Sequence, residues 1–318
     1  MNRAPIADTE LLERIGALAP DGVTRFSLMG GAVRGAVLAG TSMVARMRAN
    51  HELGVLETLA LGQAYLAAGL FSVTLKDGDR ATLRMDCSGV LRGFSVESTW
   101  DGSIRGYLFN DAVRLETPLR SFDLKPFIGE GTLSVIRHRA GAEQFTGTVA
   151  LKYGRIAEDL TEYFLVSEQT RTAVALSVRF DKAGRVAGAG GLFLQAMPGA
   201  KEMDVADAEV RLAELPSLGS WFSLGRNREE LLAEWFDAFE TEILEEGPIA
   251  FDCDCSKDRF SLFLGHLQGG VLEKMLEEGP HPAELVCHNC ASRYEFSKEE
   301  LADLIKGQSK KNGVPDSR

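Results

Sequence analysis

The sequence predicts an α+β fold: a mainly antiparallel sheet core with packed helices, a helical linker, and a small C-terminal module built on four cysteines. Three observations predict it. Between Thr74 and Gln195, apolar residues recur with period two in runs divided by turn dipeptides such as Asp77-Gly78 and Asp101-Gly102, the mark of an antiparallel meander. Stretches of helical spacing precede these runs and fall between them. Near the C-terminus, Cys253-Asp254-Cys255 and Cys287-His288-Asn289-Cys290 form two close pairs, separated by a spacer from Ser256 to Val286.

With 318 residues, 45% of them hydrophobic, the chain has room for one large or two modest domains plus an appended module. Lys+Arg 35 against Asp+Glu 46 gives a formal charge of −11. That charge repels a polyphosphate, and Lys310-Lys311 is the only short basic run, so no nucleic-acid partner is expected. The N-terminus lacks the apolar core of a signal peptide. The most apolar stretch, Gly54 to Leu75, is broken by Glu57 and Gln63, ends at Lys76, and reads as too short and interrupted to span a bilayer. No membrane partner and a cytoplasmic location are therefore expected. Thiols stay reduced there, so the clustered cysteines read as metal ligands or a redox sensor, and lone Cys87 as a half-buried strand residue.

In chain order, residues 9–18 predict a short helix with an acidic first turn. Val23 to Met29 and Ala32 to Leu38 are β-rich runs joined at Gly30-Gly31, a hairpin signal. Thr41 is positioned to cap a helix to about Asn50, and Leu59, Leu66 and Leu70 mark a second helix over 55–71. Strands are expected at 80–85, 93–98, 104–109, 131–137 and 144–151, then a helix over 155–168 with Ile156, Leu160 and Phe164 on one face. Strands at 172–179 and 190–195 complete a core of residues 1–200. The glycines Gly188, Gly190 and Gly191 lack the strand-to-helix context of a nucleotide loop.

Residues 201–248 turn acidic and helical and predict a linker. Over 228–245, Leu231, Leu232, Trp235, Phe236, Phe239 and Ile243 fall along one stripe of a helix, which must lie on a neighbour to be stable. This stripe is either the packed face of a connector or an apolar surface exposed on demand, and so a candidate client-binding surface. Residues 249–306 form the cysteine module, with a strand-like 249–251, helices at 257–267 and 270–278, a strand at 293–296, and a last helix opened by a Ser297/Glu300 capping box. The polar segment 307–318 reads as a disordered tail.

Two short-spaced cysteine pairs are the usual way to surround one structural Zn²⁺ with four sulfurs at about 2.3 Å. One zinc per chain on Cys253, Cys255, Cys287 and Cys290 is expected, with His288 a poorer substitute ligand. Four thiolates leave no coordination position for water, which argues against hydrolytic catalysis. The metal would supply most of the module's stability, about 10–16 kcal/mol against a whole domain's 5–15. Zinc-held sulfurs remain nucleophilic toward peroxide or hypochlorous acid. Oxidising either close pair to a disulfide would remove two ligands at once, and the tight Cys-x-Cys ring should stay reducible. The chemistry thus allows an oxidation-triggered unfolding switch, and it equally allows a purely structural clip. No Ser, His and Asp set suggests an enzyme. A thiol-disulfide oxidoreductase using Cys287 and Cys290 lacks the βαβ context such a motif needs, and a non-redox zinc-module binding protein stands as a further alternative.

At these residues the sequence resembles the 33 kDa chaperonin family of redox-regulated bacterial holdases. The family's Cys-x-Cys, long spacer and Cys-x-x-Cys fall on Cys253, Cys255, Cys287 and Cys290. Further matches are Val33-Arg34-Gly35, Arg105-Gly106-Tyr107, Phe145-Thr146-Gly147-Thr148-Val149, Ser167-Glu168-Gln169 and Gln195-Ala196-Met197-Pro198. The resemblance runs from about Arg25 to Ile305. It implies a non-enzymatic chaperone whose reduced, zinc-bound form is inactive. Oxidation would form Cys253–Cys255 and Cys287–Cys290 disulfides, release zinc, unfold the linker, and give a homodimer that holds unfolded client proteins without ATP. Where relatives usually show a Gly-x-Gly-Pro turn, this chain has Cys87-Ser88-Gly89-Val90.

Overall fold

The computed structural model describes residues 1–115, 119, 121–139, 144–267 and 270–312. They divide into two compact units, a larger one from Pro5 to Asp252 and a smaller one made of Met1–Ala4 with the chain from Cys253 on.

The larger unit opens with α1 (Thr9–Ala17), capped by Asp8, whose carboxylate accepts from the Leu11 amide at 2.9 Å. Strands β1 (Gly22–Leu28) and β2 (Val33–Ala39) form the expected hairpin, and Gly30 and Gly31 turn it with φ of 63° and 92°. Helix α2 (Thr41–His51) begins where predicted, but Thr41 does not cap it. The Asp21 carboxylate takes the Ser42 and Met43 amides at 3.1 and 2.6 Å, while the Thr41 hydroxyl accepts from the Ala189 amide at 3.0 Å.

Helix α3 (Val55–Ser72) has the length and apolarity of a membrane span, contrary to the expectation that the run is too short and interrupted, yet 89% of it is buried in the fold. It is the central rod of the core. On one side lie strands β3 (Arg80–Cys87), β4 (Gly93–Thr99) and β5 (Ser103–Leu108), to which Tyr65 is tied by a 2.9 Å bond to the Gly106 carbonyl. A short α4 (Lys125–Ile128) accepts the Gly89 amide at Ile128, pinning the 87–90 turn. Strands β6 (Gly131–His138) and β7 (Phe145–Ala150) extend that sheet, and α5 (Ile156–Val166) precedes β8 (Thr172–Phe180) and β9 (Val186–Ala196) of a second sheet on the other side of α3.

The predicted linker is packed on this second sheet. Helices α6 (Glu202–Glu214), α7 (Leu218–Ser223) and α8 (Arg228–Phe236) share a core with β1, β2 and β9 through Leu218, Trp221, Phe222, Leu231, Leu232 and Phe236. The glycines of β9 are what let α7 approach: a Cβ on Gly188 would lie 2.0 Å from the Gly219 carbonyl, and one on Gly190 2.2 Å from the Phe222 ring.

The single helix expected over 228–245 is not formed. After α8 a tight turn at 237–239 ends at Glu240, left-handed with φ 51°, and residues Glu242–Gly247 become strand β10. Thr241 stops the helix by donating its hydroxyl to the Phe236 carbonyl at 2.5 Å, and the unpaired edge of β1 draws the glutamate-rich run into a ladder despite its helical propensity. The sheet order is therefore β10-β1-β2-β9-β8. Strand β11 (Ala250–Phe251), expected in the cysteine module, pairs in parallel with β5 instead, so the other sheet runs β11-β5-β4-β3-β6-β7.

The smaller unit holds α9 (Lys257–Leu264), α10 (Val271–Glu278), the hairpin β12 (Ala283–Val286) and β13 (Arg293–Phe296), and α11 (Lys298–Asn312). Strand β12 was not expected. The Ser297/Glu300 capping box forms, with the Glu300 carboxylate 2.8 Å from the Ser297 amide. Residues 307–312, expected to be disordered, continue α11; 313–318 lie outside the described residues.

Candidate metal centre

Local structure brings together two cysteine pairs that α9, α10 and β12 separate along the chain. Cys253 and Cys255 lie in the extended stretch before α9, which Ser256 caps by accepting the Arg259 amide. Cys287 and Cys290 sit in the tight turn joining β12 to β13, where the Cys287 carbonyl accepts the Ala291 amide at 2.8 Å and Ala291 takes φ 54°. Hairpin pairing of Val286 with Arg293 closes the turn.

All four sulfurs lie within 4.8 Å of one another, all four residues are buried, and none is in a disulfide. The sulfurs of Cys253 and Cys287 are 3.9 Å apart and those of Cys255 and Cys290 3.4 Å. A tetrahedron of sulfurs around a zinc at about 2.3 Å has edges of about 3.8 Å, so the cluster fits that ion closely. His288 is exposed, and among the described residues the group that could hold a metal ion contains only the four cysteines.

Neighbouring hydroxyls cover two of the sulfurs. Tyr294, on the inward face of β13, places its hydroxyl 3.2 Å from the Cys255 sulfur and 3.0 Å from the Cys255 carbonyl, its ring packed 5.1 Å from that of Phe260. Ser292 lies 3.1 Å from the Cys290 sulfur and donates to the Asn2 carbonyl at 2.7 Å, while the Asn2 amide donates to the Arg293 carbonyl at 2.9 Å. The sequence reading missed Tyr294, Ser292 and Asn2. The alternation of β13, buried at Tyr294 and Phe296, was the available signal for Tyr294; Asn2 had none, because its contact spans almost the whole chain.

A cluster of thiols resists ionising one by one. Contact with Cys253 pushes Cys287 up to about 11, and the same neighbour raises Cys290. A divalent cation reverses that balance, because each thiolate then faces a positive charge. Burial raises the half-buried Cys87 thiol, which keeps it protonated and poorly reactive.

The predicted apolar stripe is split. Leu231, Leu232 and Phe236 are buried on the sheet, Trp235 and Phe239 are packed against them, and Ile243 is 47% exposed on β10.

A profile described as Hsp33 protein matches residues 21–297. The chain is 36% identical over 288 residues to the 33 kDa chaperonin of Ruminiclostridium cellulolyticum, spanning 90% of this chain and 98% of that protein. It is 35% identical over 287 residues to the 33 kDa chaperonin of Levilactobacillus brevis, spanning 88% and 96%. The crystal structure of the 33 kDa chaperonin (heat shock protein 33 homolog) of Thermotoga maritima superposes with a TM-score of 0.82 at 31% identity, covering 92% of this chain and all of that one.

Proposed function

This chain belongs to the Hsp33 protein family, and from that premise we propose that it is a redox-regulated, ATP-independent holdase with a Zn²⁺-held resting state. The observation that carries the proposal is the buried cluster of four cysteine sulfurs, all within 4.8 Å of one another and none in a disulfide. Cys253, Cys255, Cys287 and Cys290 would hold the ion, which supplies the charge that keeps four thiolates together in a unit with few large buried side chains beyond Leu264, Leu272, Tyr294, Phe296 and Leu301.

Oxidation breaks this arrangement. With hydrogen peroxide, two thiolates each give up one electron to form one S–S bond, the O–O bond breaks, and two hydroxides leave; two peroxides convert all four sulfurs. The pairing proposed is Cys253–Cys255 and Cys287–Cys290. The close cross-pair contacts depend on the folded unit, whereas partners separated by only one or two intervening residues stay near each other once it loosens.

The segment 202–247 is the part of the larger unit most able to respond. Ordering a residue costs about 1–2 kcal/mol of backbone entropy, and a buried large apolar side chain returns about 1.5–3. Two of its three helices are short, α8 having nine residues and α7 six, and the whole of β10 lacks a buried residue. Such a segment holds only while its few anchors stay on the sheet. Its release uncovers Phe26, Leu28, Val37, Leu192 and Leu194, an apolar face suited to unfolded clients. Unfolded proteins are the proposed partners, a homodimer the proposed oxidised state, and the cytoplasm the proposed location.

The test is zinc release during peroxide treatment under mildly unfolding conditions, read with a chromophoric chelator while aggregation of a denatured client is followed in the same sample. One zinc leaving per chain as aggregation is suppressed, reversed by reductant, is the expected result. Retained zinc with absent or constant activity makes the cysteines a structural clip.

A further inference from the structure

The linker does two different jobs on the second sheet. Its helices cover a face, whereas β10 covers an edge. All of β10 from Glu242 to Glu246 is exposed and Gly247 is half-buried. Strand β1 beneath it is buried at six of its seven positions. The two pair antiparallel, Val23 with Gly247, Thr24 with Glu246, Arg25 with Glu245, then past a bulge Phe26 with Ile243 and Ser27 with Glu242. Side chains add little: Arg25 reaches Glu245 at 2.9 Å across an exposed ion pair, and the Thr24 hydroxyl reaches Glu246 at 3.2 Å. Exposed pairs of this kind contribute little, because solvent screens them and two long side chains must be ordered. What holds β10 is therefore the main-chain ladder, an interaction that does not depend on sequence.

We propose that the edge of β1, once β10 has left it, takes up an extended segment of a non-native polypeptide as a replacement edge strand of this sheet. The proposal rests on the holdase reading above and adds where and how part of the client is held. Main-chain pairing at a sheet edge is how proteins capture extended peptides with broad sequence tolerance. A strand that buries nothing of its own is a cover that any extended chain matches, so β10 itself shows what the site accepts. Selectivity is confined to Thr24 and Arg25, which favour acidic residues such as the Glu246 and Glu245 they now hold.

Conditional binding requires an edge that is hidden at rest. Strand β8, at the other end of the same sheet, has no strand beyond it among the described residues. Strand β10 does not pair with it, and the β8 ladder runs to β9, so it serves as the internal control. The same fold makes the capture reversible. Strand β11 keeps the chain attached two residues beyond β10, with Phe251 buried against β5, so β10 remains tethered beside its own site. A short tether corresponds to an effective concentration of the order of millimolar, and refolding of the linker would then expel the guest strand.

Hydrogen exchange read by mass spectrometry on the full-length protein tests this, with reduced and carboxymethylated α-lactalbumin as a soluble, permanently unfolded probe. Oxidation should raise exchange at the alternate β1 amides that face β10 by about tenfold or more. Adding the probe should restore their protection, with β8 unchanged, and a synthetic peptide of residues 240–248 should compete for it. If the probe binds while the β1 amides stay exposed, the edge proposal is wrong and the holdase reading survives. Protection of β1 in the oxidised protein without probe means that a second copy or β10 itself occupies the edge, which also overturns it. Failure of the oxidised protein to bind the probe at all removes the holdase reading and this proposal together.

Discussion

The hydroxyl of Tyr294 stands 3.2 Å from the sulfur of Cys255 and 3.0 Å from that residue's carbonyl oxygen, so one phenol holds both the side chain and the main chain of a cysteine in the four-sulfur cluster. Groups placed in this way around a metal's ligands typically tune affinity by 10–100-fold. Tyr294→Phe keeps the ring against Phe260 and removes only the hydroxyl. Zinc affinity by chelator competition should fall by about tenfold, and release under peroxide should quicken. Unchanged affinity would mean the hydroxyl serves the backbone alone.

Cys290 is the most deeply buried of the four cysteines. Cys290→Ser should abolish stoichiometric zinc and leave segment 202–247 protease-sensitive even in reductant. Tight, one-to-one zinc in this variant would contradict a four-thiolate site.

Phe236 lies 5.8 Å from Phe26, centroid to centroid, and is fully buried under α8. Truncating a buried phenylalanine costs about 3–5 kcal/mol. Phe236→Ala should therefore free the linker in the reduced, metal-loaded protein and yield aggregation suppression without an oxidant. Gly188→Ala should do the same by pressing its Cβ against the Gly219 backbone, which cannot yield as a side chain would. Wild-type latency in both variants would show that linker packing does not control activity.

Burial raises the Asp21 carboxyl to about 6, against the opposing pull of the Met43, Ser42 and Thr41 amides. Its folded value lies above its unfolded one, so between pH 6 and 4 the native state binds the extra proton. Asp21 therefore costs stability at pH 7, roughly 3 kcal/mol from a shift of about two units, and the cost fades as pH falls through 6. Urea midpoints should show Asp21→Asn more stable than wild type at pH 7, with the gap narrowing by pH 5. An equal gap at both values would mean that the carboxyl titrates at its ordinary pH.

Much of the architecture was legible from local pattern. The Asp101-Gly102 turn closes the β4–β5 hairpin, legible because a hairpin's turn and its alternation are encoded within a few residues, whereas Asp77-Gly78 ends the connection from α3 to β3. The apolar run of α3 is unmistakable as a helix, although its length and composition alone do not distinguish a core rod from a membrane span. The glutamate run of β10 was misread because its strand state depends on an edge offered by β1, more than 200 residues earlier.

The four-cysteine cluster is written in the chain, because cysteine type and short spacing are local properties. The sequence also carried the α+β class and the acidic, apolar-striped character of residues 201–248. Only the tertiary structure decided that five residues of that stripe are covered while Ile243 is exposed, that Asp21 rather than Thr41 caps α2, and that Tyr294 and Ser292 stand over two of the sulfurs. Each of these depends on which distant surface is left needing a partner, and that is settled by packing and hydrogen-bond satisfaction across the whole fold rather than by any neighbouring residue.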